Sequence, residues 1–346
     1  MSDKPDKRPT LRSLAQITGL GISTVSQALR NSPEISAETR QRVQLAAQQA
    51  DYRPNRAGVR LRTGKSNVIT LVLNPQDGST SEFTNQDNNS GFFANIVYGI
   101  SEALAGTSYH LVVTPYSLTD PMAPIRYIVE TSSADGVIMS RTQPNDPRVR
   151  YMVENNMPFA THGRTQMGIE HAYFDFDNEA FAFEAVKRLV QRGRRRLALF
   201  CPPPMLTYYL HTLQGFERGL AETGATGYSI GTVSSDSGLE GLRAAGHELA
   251  HRRDAPDGII CTSSSMVLPL IIGMRDGNRE IGSDFDLVAK PFSNLVALTQ
   301  PKVIGIDEDF RMAGRELGRM VIARIAGTEP IVLQMLDQPK LVRGNP

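Results

Sequence analysis

Between Thr10 and Ala50 the apolar positions recur at helical spacing in three short bursts. Leu11, Leu14 and Ala15 share one face of LRSLAQIT, which Thr10 is placed to cap, and Gly19-Leu20-Gly21 breaks the helix. A second helix, ISTVSQAL, puts Val25, Ala28 and Leu29 on one face and leaves Ile22, Ser23, Ser26 and Gln27 nearer the other. Ser36 caps a third helix reaching about Ala50, with Val43, Ala46, Ala47 and Ala50 as a narrow inward stripe. Beyond Lys65 the period changes. Apolar, β-rich runs at 67–74, 110–116, 135–140, 157–162, 196–201, 257–263, 285–289 and 303–307 alternate with stretches of helical period such as 93–106 and 179–193. That alternation predicts an α/β body of parallel sheets covered on both faces, with ligands held at strand carboxyl ends.

Two helices around a Gly-containing turn, buttressed by a third, form the pattern of a helix-turn-helix whose second helix reads a groove. A small three-helix bundle without a nucleic-acid partner fits the same spacing. The next segment favours DNA: RPNRAGVRLRTGK (53–65) carries Arg53, Arg56, Arg60, Arg62 and Lys65, no acid, and a Leu61 with little nearby to bury against. Such cations suit phosphate neutralisation, and such a leucine suits a wedge in a minor-groove base step. The net charge of +1 conceals the division, since residues 1–65 carry 12 Lys/Arg against 5 Asp/Glu and the remainder is net acidic.

At 346 residues the chain has room for two or three domains, and 40% apolar with 21% charged residues lies in the ordinary globular range, which excludes a disordered or collagen-like chain. No apolar run approaches a membrane span, and the opening MSDKPDKRPT is not followed by an apolar signal segment, so a cytoplasmic protein without a membrane partner is expected. Cys201 and Cys261 are far apart in sequence and read as two reduced, buried thiols.

Residues 10–69 closely resemble, without a gap, the head and hinge of the lactose/galactose repressor (LacI/GalR) family. Gly19, Thr24-Val25-Ser26, Ser36-x-x-Thr39-Arg40, Tyr52-x-Pro54-Asn55 and Leu61 fall at that family's spacing. The resemblance implies a helix-turn-helix head over 1–52, a hinge over 53–65, and over 66–346 an effector-binding and dimerisation body of the two-lobed, periplasmic-binding-protein-like type. It places Ile22, Ser23 and Gln27 at major-groove base edges, lets Thr10, Ser26, Ser36, Thr39 and Arg40 reach phosphates, and makes Leu61 the minor-groove lever. Thr24, Asn55 and Arg56 belong to the same DNA-binding set. Three positions depart from the family. Gln27 stands where Arg is common, and because Gln pairs best with adenine, an adenine preference is expected there. Gly21 replaces a capping serine, and Gly58 interrupts the hinge helix at a cost of ~1 kcal/mol relative to Ala, so the hinge is expected to order only on DNA with a partner subunit.

The body resembles the same family through DNEAFAFEAVKRLVQRGRRRLALFCPP, LQGFERGLAETG and DGIICTSSSM. By that resemblance the chain crosses between lobes near 191, 308 and 336, giving one lobe of about 66–191 with 309–336 and another of 192–308 with 337–346. The candidate effector-binding residues are Phe92, Arg141, Arg164, Asp177, Thr212, Ser263, Lys290 and Glu308. Phe92 is placed to stack on a sugar ring or to join the core, and Asp177 to touch ligand or cap a helix. Arg141 and Arg164 follow strands on one edge, in solvent or on ligand. Lys290 stands where the family often has Asp, so either the ligand carries an anionic group or Lys290 pairs with Glu308. Thr212 replaces the arginine usual three residues before the glycine here at Gly215. Together these departures point to an effector unlike the best-known ones. The polar segment 74–91 is a lid or a disordered loop.

His247-Glu248-Leu249-Ala250-His251 satisfies H-E-x-x-H, but the third ligand a zinc hydrolase needs is missing, and the segment reads as an outer amphipathic helix. No G-x-S-x-G elbow or P-loop occurs. The expectation is a non-enzymatic regulator, needing no metal or cofactor, that binds a double-stranded DNA operator as a homodimer under a sugar-like effector and controls carbohydrate uptake or catabolism genes. The tail VLQMLDQPKLVRGNP lacks a heptad zipper, which favours a dimer over a tetramer. A soluble sugar-binding protein without a DNA role is the alternative.

Overall fold

The computed structural model describes residues 9–52, 60, 64–73, 90–115, 119–234, 237–290 and 303–341. The chain divides into two compact units between Ser66 and Asn67.

The first unit holds α1 (Leu11–Thr18), α2 (Ile22–Ala28) and α3 (Ala37–Gln49). Its local chemistry sets the boundaries. The Thr10 side chain accepts from the Ser13 amide while the Ser13 hydroxyl accepts from the Thr10 amide, a reciprocal cap at the start of α1. Gly19 closes α1 in the left-handed region (φ 66°), where a Cβ is costly. Ser36 accepts from the Thr39 amide at 3.2 Å and caps α3, whereas Gly21 gives α2 no side-chain cap, as its replacement of a capping serine implies. Leu14, Val25, Ala28, Val43 and Ala47 form the core of this small bundle. Most of the basic hinge, Asn55, Arg56 and Leu61 included, lies outside the described residues, as does nearly all of the polar segment 74–91.

The second unit contains two six-stranded sheets. One, ordered β11-β5-β4-β3-β1-β2, is built from β1 (Val68–Leu73), β2 (His110–Pro115), β3 (Gly136–Met139), β4 (Phe159–His162), β5 (Ala172–Phe176) and β11 (Gln334–Asp337), and its pairings are parallel. The other, ordered β12-β10-β9-β8-β6-β7, comprises β6 (Arg196–Phe200), β7 (Thr226–Ile230), β8 (Gly258–Cys261), β9 (Asp286–Ala289), β10 (Ile304–Asp307) and β12 (Lys340–Leu341), which alone pairs antiparallel. The helices are α4 (Ser90–Leu104), α5 (Ala123–Thr131), α6 (Pro147–Glu154), α7 (Asn178–Gln191), α8 (Thr207–Thr223), α9 (Gly238–His251), α10 (Val267–Asp276) and α11 (Phe310–Ile325).

Helix α7 corrects the expected lobe boundary. Phe181, Ala182, Ala185, Val186 and Leu189 lie along one stripe and bury against Leu197, Leu199, Phe216, Ile260 and Val288 of the second sheet and α8. The first crossing therefore falls at Asp177, before α7, instead of near 191. The chain returns after Glu308, because α11 packs with α4 on the first sheet through Ile96, Ile100, Ala313 and Leu317. It crosses a third time between Asp337 and Lys340, slightly beyond the expected 336. Strands β5, β7, β11 and β12 are absent from the apolar runs of the sequence: β7, β11 and β12 lie at sheet edges and are largely exposed, whereas β5 is buried but short and carries the charge of Asp175 in its AYFDF.

Candidate functional site

In the first unit, α2 turns Val25 and Ala28 inward and leaves Ile22, 47% exposed, and Ser23 on the open face. Thr24, Ser26 and Gln27 are half-buried beside them, and the Gln27 Nε2 donates to Glu34 Oε2 at 3.3 Å. Arg30 Nε donates to the Ser26 carbonyl at 2.9 Å, which ties the helix end together. Thr10 and Ser36 are exposed, each at a helix N-terminus, where amides and dipole favour an anion. Thr39 donates its amide to the Ser36 cap, and Arg40 reaches the Asn31 carbonyl at 3.2 Å. The expected DNA residues among the described ones thus sit on α2 and at the N-termini of α1 and α3.

In the second unit, the loops at the carboxyl ends of both sheets carry the polar groups, as the parallel topology requires. Three consecutive strands of the first sheet deliver Arg141, His162 with Arg164, and Asp175 with Asp177; the second sheet delivers Ser263, Lys290 and Glu308. Arg141 adopts a left-handed conformation (φ 55°), unusual for a residue with a Cβ, and its carbonyl is held by Arg148 Nη2 at 2.9 Å. Arg148 is itself buried against Asp146 at 2.7 Å, which stiffens the loop after β3.

Lys290 and Glu308 form a buried ion pair, with Nζ to Oε2 at 2.9 Å and side chains 5% and 7% exposed. The same Nζ donates to Asn178 Oδ1 at 2.6 Å and lies over the ring of Phe176, 4.6 Å from its centroid. Of the two roles the sequence left open for Lys290, the structure contains the pair. Across from it, Arg164 Nε meets Asp175 Oδ2 at 3.2 Å. Burial pushes the Asp175 carboxyl up to about 7, with Arg164 pulling the other way. Phe92 stands edge-on to Phe310 at 4.8 Å and to His162 at 5.6 Å, so it forms a wall between core and polar loops.

Other expected effector residues are engaged locally. Asp177 caps α7 by accepting from the Ala180 amide at 2.9 Å, and its other oxygen accepts from Gln338 Nε2 at 3.1 Å. Thr212 is fully buried and donates to the Tyr208 carbonyl at 2.7 Å within α8. Ser263 accepts from the Ser265 amide at 3.3 Å.

Sequence reasoning passed over His162, Asp175, Asn178, His211 and Phe310. His162 and Asp175 end or nearly end strands, a signal that was available; His211, inside a helix, had none. His162 Nε2 and His211 Nδ1 are buried without a hydrogen-bond partner among the described residues. Burial lowers the proton affinity of both, taking His211 down to about 4 with help from Arg164, while Glu308 opposes the shift at His162. The shift favours the neutral form of each ring.

The H-E-x-x-H helix is ordinary surface. His247 and His251 are exposed on α9, and His251 Nδ1 hydrogen-bonds the His247 carbonyl at 2.9 Å. Among the described residues no three His, Cys, Asp or Glu side chains are grouped to hold a metal ion, and no helix is long and apolar enough to cross a membrane. Cys201 and Cys261 are free and buried; burial raises both thiols, Cys201 to about 11.

Residues 10–55 match the family of bacterial regulatory proteins of the lacI type, and residues 186–345 match the periplasmic binding protein-like domain. The transcriptional regulator AglR of Rhizobium meliloti is 30% identical over 342 residues, covering 96% of this chain and 92% of that protein. The regulator CelR of Thermobifida fusca is 28% identical, over 97% of this chain and 98% of its own. A solved complex of the regulator CelR with cellobiose superposes with a TM-score of 0.68 at 25% identity, covering 97% of this chain and 98% of the other. The lac repressor dimer bound to operator shares the fold, with a TM-score of 0.80 at 17% identity over 97% and 98% of the two chains. These relatives are helix-turn-helix transcriptional regulators and not enzymes. Their likeness runs through both the capped three-helix head and the two-sheet body, and this chain belongs to the LacI family of bacterial regulatory proteins.

Proposed function

We propose that this regulator binds a pseudo-palindromic operator as a homodimer, most simply as a repressor of carbohydrate uptake or catabolism genes, and that a sugar or sugar derivative between the two lobes of its body controls the binding. Ile22, Ser23 and Gln27 read base edges with Thr24 beside them; Thr10, Ser26, Ser36, Thr39 and Arg40 hold phosphates. Asn55, Arg56 and Leu61 of the hinge, outside the described residues, complete the grip. A single head of this kind reads one half-site, so a dimer matches a two-fold operator. The observation that carries this reading is α2 itself, short and pinned by Val25 and Ala28, with Ile22 and Ser23 facing outward.

The effector reading is supported by the polar strand ends where the lobes meet, with Phe92, Arg141, Arg164, Lys290 and Glu308 contributed by both sheets, and by the cellobiose held by the related CelR. Asp177, Thr212 and Ser263 complete the effector set, each also making a local hydrogen bond of its own. Ligand shifts the population of lobe orientations, and with it the spacing of the paired hinges. Selection from random duplexes at moderate salt tests the DNA half: the wild type should enrich a two-fold motif, and Gln27→Arg should move one position per half-site from adenine to guanine. An unchanged motif rejects the Gln27 contact; no enrichment rejects the reading.

A further inference from the structure

The loop between α2 and α3 is short and braced from both helices. Asn31 enters it in the left-handed region (φ 57°), its carbonyl accepting from Arg40 Nη1 at 3.2 Å and its Oδ1 from Gln44 Nε2 at 2.7 Å, both on α3. The Ser32 amide donates back to the Gln27 carbonyl at 3.1 Å, its carbonyl accepts from the Ile35 amide at 3.2 Å, and its hydroxyl accepts from the Glu34 amide at 3.4 Å. Ile35 packs against the core of the head, and Ser36 caps α3. This framework carries Glu34, itself exposed, to the end of the Gln27 side chain, where Glu34 Oε2 accepts from Gln27 Nε2 at 3.3 Å.

Building on the base contact assigned to Gln27 above and deepening it, we propose that Glu34 is a positioning residue for base recognition, which turns the Gln27 amide so that the head takes adenine and refuses guanine. A side-chain amide offers two N–H donors and one carbonyl acceptor. The terminal torsion of a free glutamine is broad, so an unheld amide presents these groups in either sense. A carboxylate can only accept. Facing it, the amide directs Nε2 towards Glu34 and Oε1 away, because the flipped amide would set two acceptors against each other. One N–H is then committed to Glu34, and one N–H with Oε1 remains. Adenine shows an acceptor at N7 and a donor at N6 in the major groove, the complement of that remainder, whereas guanine shows two acceptors, N7 and O6. The Glu34 charge has a second effect. It stands two residues before Ser36 and near Thr39 and Arg40 in sequence, the groups assigned to phosphates, and opposes their contacts on every duplex. Selectivity at one base pair therefore comes with weaker binding to DNA at large.

The test is selection from random duplexes with the full chain, then gel-shift titration of the selected operator and of its adenine-to-guanine substitution at the Gln27 position. Glu34→Ala should reduce the adenine-over-guanine ratio there by about tenfold, and tighten binding to unrelated duplex. Ratios at the other positions should stay within about twofold. Glu34→Gln keeps an acceptor without the charge, so it should retain most of the adenine preference while also binding unrelated duplex more tightly. In a Gln27→Ala background, Glu34→Ala should no longer change the ratio. Loss of affinity and selectivity at all positions together would mark Glu34 as a support of the head's fold and overturns the inference. So does an adenine preference that Gln27→Ala abolishes and Glu34→Ala leaves unmoved. If Gln27→Ala itself leaves the preference intact, the Gln27 contact is wrong and this inference falls with it.

Discussion

The backbone amide and the hydroxyl of Thr207 both donate to the carbonyl of Thr142, at 2.9 and 3.2 Å, joining the first turn of α8 on the second sheet to the loop after β3 on the first. The acceptor is held in place: Thr142 Oγ1 donates to the Arg164 carbonyl at 3.1 Å, and the buried Arg148 braces the carbonyls just before it. The two lobes are thus latched by a pair of hydrogen bonds that involves none of the charged side chains of the cleft.

Thr207→Val keeps the shape and the amide bond but loses the hydroxyl bond, worth about 0.5–1.5 kcal/mol. The balance between lobe orientations should shift by a factor of roughly 2–10, and by linkage the effector and operator affinities should both move. Paired titration and gel-shift measurements that find both affinities unchanged would discard the latch.

Lys290→Met leaves Glu308 buried without its countercharge, and breaking such a pair from one side costs about 3–5 kcal/mol. Chemical denaturation should show that loss, and Lys290→Met with Glu308→Gln should recover most of it. Equal destabilisation by the single and double variants would mean that packing, not charge, makes Lys290 important.

Asp175 gives stability a pH dependence with a definite sign. Its folded carboxyl titrates at about 7, above the ordinary value of 3.8, so the native state holds a proton that the unfolded chain has released, and this contribution is lost as pH rises from about 4 through 7. His211, lowered to about 4, contributes the reverse: its stability is present above 6.5 and is lost as pH falls. Asp175→Asn removes the first effect alone. Between pH 5 and 8 the variant should gain on the order of 2 kcal/mol relative to wild type. A difference independent of pH in urea titrations would contradict the raised carboxyl.

Gly215 marks where α8 crosses α7, and a Cβ there would collide with the carbonyl of Glu179. Backbone cannot swing aside like a side-chain tip, so Gly215→Ala should destabilise by about 1–3 kcal/mol through forced separation of the helices. A melting temperature within a degree of wild type would show that the helices move apart freely.

The head was largely legible because its signals are local. The Thr10 and Ser36 caps, the break at Gly19 and the inward Val25 and Val43 each depend on residues within a few positions, and the three helices form close to where those residues put them. Most strands of the body could be read as well, since a strand buried on both faces is a continuous apolar run, but β5, interrupted by Asp175, could not. The site was legible only in part. Lys290 and Glu308 stood out as charges at strand ends, but His211 lies within a helix whose sequence does not say that its ring is buried with an unpartnered nitrogen.

The amino-acid sequence alone determined the kind of molecule this is: a basic, capped three-helix reader ahead of an acidic α/β body. Periodicity, capping and charge balance are properties of neighbouring residues and survive without a fold. Tertiary structure decided which sheet α7 covers, that Thr212 bonds back into its own helix, and that Lys290 turns to Glu308 and Asn178. Those outcomes turn on residues brought together from distant parts of the chain and on how far burial strips them of water, and neither quantity exists until the chain has closed on itself.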